Sequence, residues 1–175
     1  MAGSLIKIDE EIVTSAVSSV TLTGIDSTYD VYQVVGSNIR PASGYQLEAR
    51  VTKGGSAQSD SEYDWAYKGM YTGGSFVNEG ESNRDSFFIY NGYEETTASG
   101  RGNGLSMYLF NFNNASEYSF FTLEQTYLHS TGNLGGNQGG CVHTVASASD
   151  GVQFIWDGGV VNFEQGTFSL YGLKK

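Results

Sequence analysis

The chain offers one pair of residues whose types suit nucleophilic catalysis, Cys141 and His143. A cysteine nucleophile needs a base within hydrogen-bond reach, and that base normally converges on the thiol from a separate element. Two positions apart in a strand, these two side chains would share a face only as neighbours. We therefore expect a buried, unreactive Cys141 beside a half-exposed His143.

Carboxylate pairs are a second source of chemistry, because glycoside hydrolysis needs only two of them. Glu94 and Glu95 are adjacent, so on a strand they would point to opposite faces. Asp60, Glu62 and Asp64 alternate with other residues in a polar stretch that is typical of a turn. Both sets favour solvated surface charge, and the sequence predicts no catalytic residues.

The alternating oxygens of residues 60–64 also resemble the opening of a calcium-binding loop. An EF-hand needs Gly at its sixth position and Glu at its twelfth, whereas this chain has Trp65 and Tyr71 there. The two histidines, His129 and His143, form no zinc-binding motif. We expect neither a metal nor a cofactor, and a looser calcium site on a loop stays an alternative.

These residues are set among short segments whose pattern is that of β-strands. Residues 45–52, 20–23 and 167–170 alternate apolar and polar side chains, as a strand with one buried face does. Further runs are rich in the β-branched and aromatic residues that suit strands: 29–35, 85–90, 105–112, 118–128 and 152–156. Clusters of Gly, Ser, Asn and Asp lie between these runs and mark turns.

Roughly eight to ten short strands separated by turns predict an all-β fold, a single antiparallel β-sandwich of jelly-roll type with under about 15% helix. Residues 18–175 would form this domain, and residues 1–17 a short N-terminal arm or edge strand. The glycine-rich residues 132–140 indicate a long hairpin loop, and residues 64–70 a single helical turn.

Composition restricts the partners of this domain. With 9 basic and 19 acidic residues, the chain has a net charge of −10 and would repel phosphate backbones, so we expect no nucleic-acid partner. No apolar run approaches the ~18 residues that a membrane-spanning helix needs, so we expect no membrane partner. The charged residues 7–11 are unlike a secretory signal, which favours assembly in the cytoplasm.

Aromatic side chains offer the best candidate for a binding surface. Tyr63, Trp65 and Tyr67 would project from one face of an extended segment. Exposed Tyr and Trp side chains on a β-sandwich can stack on sugars or anchor a protein partner, so these three are candidates for glycan or protein binding. The alternative is that they pack in the core or between subunits.

The N-terminal residues are a candidate interface between copies of the chain. Leu5, Ile6, Ile8 and Ile12 are too apolar for a free tail, so this segment either pairs with its own sheet or docks on a neighbouring subunit. Residues 86–90 and 105–112 contain few charges, which would leave them unprotected if they were edge strands. We therefore expect self-association, with a closed homotrimer as the favoured form.

Two segments resemble structural proteins of tailed bacteriophages, including marine and cyanobacterial phages. They are residues 20–32 (VTLTGIDSTYDVY) and the close of the chain, residues 150–160 and 166–173 (GTFSLYGL). Residues 63–66 and 111–115 are also similar, so the resemblance covers about residues 18–173. The family's Gly-Asn-Ile-like step is replaced here by Gly159-Val160-Val161.

The resemblance implies a virion protein, which would assemble with major capsid or tail proteins in the host cytoplasm. A short chain without fibre-type repeats favours a capsid decoration (cement) protein or another accessory head protein. The alternatives are a tail fibre or spike, or a carbohydrate-binding module that recognises host-surface glycans. The matching motifs are strand and turn signatures, so the resemblance brings no catalytic residues.

Overall fold

Alternating apolar and polar residues form strands through most of the chain. The computed structural model describes residues 4–43, 46–74, 76–90, 102–129 and 132–173. Within these ranges the one helical element is a 3-10 turn, Asp157–Gly159. The strands are β1 (Leu5–Val13), β2 (Ser19–Thr23), β3 (Val31–Pro41), β4 (Leu47–Lys53), β5 (Ser56–Ala57), β6 (Tyr63–Tyr71), β7 (Phe76–Arg84), β8 (Phe87–Tyr90), β9 (Asn103–Phe110), β10 (Ser119–Leu128), β11 (Leu134–His143), β12 (Gly151–Trp156) and β13 (Phe163–Leu173).

The strands form two antiparallel sheets of unequal width. The large sheet has eight strands in the order β1-β13-β3-β9-β10-β11-β6-β7. The small sheet has the order β2-β12-β4-β5, and β8 also pairs with β4. The predicted all-β fold and antiparallel sandwich are therefore confirmed, and the jelly-roll form of the sandwich stays a prediction.

Aromatic contacts join the inner faces of the two sheets. Phe154 of β12 lies 4.9 Å from Phe168 of β13, measured between ring centroids. At the other end of the core, Phe87 of β8 lies 4.4 Å from Phe121 of β10. All four rings are buried, and burying one such side chain contributes about 1.5–3 kcal/mol to stability. These rings therefore fix which face of each sheet is the inner one.

The expected loop at residues 132–140 is wrong, because most of this segment is β11. Its glycines are required by packing and not by a turn. A Cβ on Gly135 would overlap the ring of Tyr127, and a Cβ on Gly139 would overlap the backbone and Cβ of Tyr67. Glycine thus lets β11 lie between two strands whose inward side chains are large aromatics.

Two further local expectations are also wrong. Residues 64–70 form part of β6 and not a helical turn, because they pair with β11 along one edge and with β7 along the other. Residues 105–110 lie in β9, which pairs with both β3 and β10, so this segment needs no charged protection. The terminal strands of the large sheet are instead β1 and β7, and both carry acidic residues.

The N-terminal segment is an edge strand of the chain's own large sheet, because β1 pairs with β13. A bulge between Lys7 and Asp9 turns Ile8 toward the core, where it packs against Gly24. The carboxylate of Asp9 accepts a hydrogen bond of 2.7 Å from the backbone N–H of Thr23. The middle of β1 is thus attached to both sheets.

The two segments that resemble phage structural proteins fold together. Residues 20–23 lie in β2, which pairs with β12, and residues 31–32 begin β3, which pairs with β13. The hydroxyl of Tyr32 donates a 2.6 Å hydrogen bond to the carbonyl oxygen of Asp26. The ring of Tyr29 occupies the space that a side chain at position 172 would need. These motifs therefore build one part of the sandwich.

We expect Gly139→Ala to lower the free energy of unfolding by about 1–3 kcal/mol or more, since the new methyl group would overlap the backbone of β6. Gly73→Ala is the matched control, because the nearest atom to its added Cβ is 3.8 Å away. Urea denaturation measures both variants. Equal midpoints for the two variants would contradict this account of β11.

Candidate functional site

Tyr63, Trp65 and Tyr67 do not form a binding surface, because they pack in the core, which is the alternative that the sequence left open. They share one face of β6, as predicted, but that face is the inner one and all three side chains are buried. Trp65 packs edge-on against Phe88 of the small sheet, with ring centroids 4.9 Å apart. Alternation correctly predicts that the three residues share one face. That face is buried because the small sheet packs against it.

Cys141 and His143 share the inner face of β11, and both are buried. Burial raises the pKa of the Cys141 thiol well above its usual value, which disfavours the thiolate. His143 is fully buried and not half-exposed as expected, because its ring lies 4.9 Å from that of Tyr63. The expected unreactive Cys141 thus agrees with this environment.

Burial, and then the charge of Lys53, lower the pKa of His143, although the nearby carboxylate of Glu62 acts in the opposite direction. The His143 Nε2 lies 3.3 Å from a carboxylate oxygen of Glu62. Neither ring nitrogen makes a hydrogen bond of good geometry. The ring is therefore neutral at pH 7, and protonating it would favour unfolding.

The remaining carboxylate candidates do not converge. Asp64 accepts a 2.8 Å hydrogen bond from the backbone N–H of Asn83, whereas Glu62 faces His143. Glu94 and Glu95 lie outside the described residues. Within the described ranges, no group of three or more His, Cys, Asp or Glu side chains is arranged to hold a metal ion.

Glu48 is a buried carboxylate that the sequence did not single out. It accepts hydrogen bonds from the Ser86 hydroxyl and, at 3.0 Å, from the Gly158 backbone N–H. Burial raises the pKa of Glu48, and these two hydrogen bonds limit the rise. The side chain connects β4 to the segment before β8 and to the 3-10 turn, which is a structural role.

The outer face of the large sheet carries three neighbouring aromatic side chains, two of them exposed and one half-buried. Phe120 of β10 stands directly opposite Phe110 of β9, and Tyr108 lies beside Phe110 with ring centroids 6.5 Å apart. Phe120 and Tyr108 are 46% and 40% exposed. We call Tyr108, Phe110 and Phe120 the aromatic ledge.

A row of polar side chains crosses the same face next to the ledge. Ser106 of β9 stands opposite Glu124 of β10, which in turn stands opposite Gln138 of β11. The amide of Gln138 donates a 3.1 Å hydrogen bond to Glu124, and the amide of Gln33 donates one of 3.3 Å to the Ser106 hydroxyl. We call Gln33, Ser106, Glu124 and Gln138 the polar band.

A groove of about 560 Å³ lies along the polar band on the side away from the ledge. Gly104 and Gly136 form its floor, because neither has a side chain to fill the outer face. Thr126 stands between these two glycines, and Met70 forms a wall. The groove is within the range of about 300–1,000 Å³ that is typical of ligand sites.

A second candidate surface is the edge strand β1. Leu5, Ile6 and Ile12 are 47%, 41% and 60% exposed, whereas Ile8 is partly buried against the core. Of the four predicted interface residues, three therefore lie at the surface. Among the described residues, β1 has a ladder partner on one side only.

The sequence contained a signal for the outer face that went unused. Residues 119–128 alternate strictly, so Phe120 must lie on the face opposite to Phe121 and Leu123. An aromatic residue on the polar face of an alternating strand indicates an exposed ring. The glycine floor had no such signal, because glycines are equally typical of turns.

Comparison with known proteins yields no assignment: no protein-family model matches the chain, and no curated protein matches it. In the described part of the chain, no helix is both long and apolar enough to cross a membrane.

We expect the His143 ring to titrate below pH 6.5, since burial and Lys53 lower its pKa. The free energy of unfolding should then be at its full value above about pH 6.5 and fall as the pH drops toward the lowered pKa. NMR titration of the ring protons measures the pKa, and His143→Gln identifies the signal. Acid titration of His129→Gln, which keeps His143, should retain the loss of stability. A His143 pKa at or above 6.5 would contradict this interpretation.

Proposed function

We propose that this chain is a non-enzymatic structural protein of a bacteriophage virion, a capsid-decorating or other accessory head protein that associates with copies of itself. The proposal has two supports. One is the resemblance of residues 18–173 to structural proteins of tailed phages. The other is the open strand β1, whose exposed side chains are complementary to those of a second β1.

The outer face of β1 carries two charged residues between two apolar ones. Leu5, Lys7, Glu10 and Ile12 all lie on the outer side, because the bulge after Lys7 brings Glu10 back to the same face. Lys7 and Glu10 form an ion pair of 3.1 Å. The hydrogen bonds from Lys7 and Ser169 lower the pKa of Glu10, so its carboxylate is charged at pH 7.

Antiparallel pairing of two β1 strands about a two-fold axis gives a complementary contact. With the axis between residues 8 and 9, Leu5 stands opposite Ile12 of the second copy, and Lys7 stands opposite Glu10. Cross-strand neighbours of this kind stabilise a sheet, whether they are apolar pairs or opposite charges. This complementarity is the observation that carries the proposed self-association, whereas the virion role rests on the resemblance.

The other edge strand of the large sheet, β7, is not complementary to a second copy of itself. Antiparallel pairing of two β7 strands about Gly80 would put Glu79 opposite Glu81 of the second copy. Like charges that stand directly opposite each other destabilise a strand pair. The two edges therefore differ, and β1 is the edge that suits association with an identical chain.

The contact through β1 is weak by itself. Leu5 and Ile12 are each about half exposed, so burying the remainder contributes about 1 kcal/mol per side chain. A contact of this size needs a high local concentration or further contacts with a capsid surface. A two-fold contact builds dimers, whereas the trimer expected from the sequence needs unlike surfaces to meet. The molar mass in solution distinguishes the two.

Several of the titratable groups described above support a non-enzymatic role, because they are engaged in structural contacts or buried. Glu48 binds Ser86 and a turn, Asp9 binds Thr23, and Asp64 binds Asn83. Cys141 is buried in its protonated form.

We expect Lys7→Glu to weaken self-association by about tenfold, because it puts like charges opposite each other at both ends of the contact. The charge-swapped variant Lys7→Glu/Glu10→Lys restores opposite charges and should restore association. Sedimentation equilibrium measures the molar mass over a range of concentrations.

Val160→Asp is the control, because Val160 is exposed, directly follows the 3-10 turn and lies outside β1. It should leave the molar mass unchanged. A monomer at every concentration, or a charge-swapped variant no better than Lys7→Glu, would contradict the contact through β1.

We expect the protein to be a component of phage heads. An antibody raised against the purified chain and a gold-labelled second antibody should decorate the heads of phage particles from the culture that carries the gene. Gold on tail fibres would instead favour the fibre alternative. Unlabelled particles, with the protein present in the soluble lysate, would contradict a virion role.

A further inference from the structure

The outer face of the large sheet combines the groove, the polar band and the aromatic ledge. We propose that this face binds a neutral oligosaccharide, laid along the polar band with sugar rings against the ledge. The site is separate from β1, so the proposal does not depend on self-association.

The polar band has the groups that sugar hydroxyls need. It presents two side-chain amides, a hydroxyl and a carboxylate, and such groups both donate and accept hydrogen bonds. The bonds from Gln33 to Ser106 and from Gln138 to Glu124 hold the side chains in place before a ligand arrives. Binding then costs less side-chain entropy.

The length of the band suits a chain of sugars. It crosses four adjacent strands, β3, β9, β10 and β11, which gives three spacings of about 4.8 Å or about 14 Å in total. The exposed hydroxyls of Thr122 and Thr126 lie on either side of Glu124 along β10.

On β3 the exposed Val35 stands opposite Ser106, and Gln33, opposite Tyr108, reaches Ser106 diagonally. A ligand that follows the band would therefore meet polar groups on β9, β10 and β11 and a mixed surface on β3.

Apolar surfaces flank the band on both sides. Tyr108 lies two residues from Ser106 on the same face of β9, and Met70 forms the far wall of the groove. A pyranose ring has a C–H face that packs on aromatic or apolar side chains and an edge of hydroxyls that forms hydrogen bonds. Alternation of apolar, polar and apolar surfaces across the groove matches this amphipathic character.

Charge decides which sugars fit. Glu124 lies in the band, and Asp64 lines a neighbouring groove of about 650 Å³ on the same face. Lys68, which stands opposite Gln138, is the one basic residue beside the band among the described residues of β6, β9, β10 and β11. The whole chain carries a net charge of −10. Uronic or sialic acid polymers would meet like charge, so the face favours neutral sugars.

The test is calorimetric titration with neutral hexasaccharides of the cellulose, starch, xylan and chitin types, with polygalacturonate as the acidic probe. We expect at least one neutral probe to bind with a Kd on the order of 0.1–1 mM. Tyr108→Ala and Gln138→Ala should each weaken binding by about tenfold, because both side chains are exposed and neither is needed for the fold.

Gln153→Ala is the matched control. Gln153 also donates a side-chain hydrogen bond to a neighbouring strand, at 3.3 Å to Thr21, but it lies on the outer face of the small sheet. The Gln153→Ala variant should bind sugars with the same Kd as the unaltered protein. The proposal is overturned if no neutral probe binds at millimolar concentration, if polygalacturonate binds more tightly, or if Tyr108→Ala and Gln138→Ala bind like Gln153→Ala. It is also overturned if those two variants change the molar mass and not sugar binding, since the face would then be an interface between copies.

Discussion

The close approach of β11 to its neighbours is the constraint on which the rest of the large sheet depends. Gly135 and Gly139 leave room on the inner face for the side chains of Tyr127 and Tyr67. Gly136 and, with it, Gly104 leave the outer face without side chains and so form the floor of the groove. A single glycine-rich strand thus permits an aromatic core on one side and a concave surface on the other.

The unequal width of the two sheets has a second consequence. The small sheet packs on the inner face of the large one, while the outer face and the outer edges of β1 and β7 have no strand partner in the described ranges. Natural sandwiches usually protect such edges with charges. Here β7 carries acidic residues that oppose pairing with itself, whereas β1 places Lys7 and Glu10 so that a second β1 is complementary.

The sequence predicted the class of fold because alternation is a direct signal of a half-buried strand. Residues 20–23 and 167–170 were identified in this way, and both lie in strands. Alternation does not say which face is buried, so the sequence leaves Tyr63, Trp65 and Tyr67 open to a binding surface or to the core, and they lie in the core. The burial of His143 was missed for a related reason, since it depends on Tyr63 of another strand. Glycine gives no alternation at all, and β11 was therefore taken for a loop.

Hydrogen exchange of the backbone amides of β1 tests the central claim most directly, since pairing of two β1 strands would bury the free edge of residues 5–13. β7 serves as an internal reference, because it is also a terminal strand but is not self-complementary. The account predicts that exchange in β1 slows as the protein concentration rises, while exchange in β7 stays constant. Exchange in β1 that is independent of concentration, or slowing in β7 alone, would contradict it.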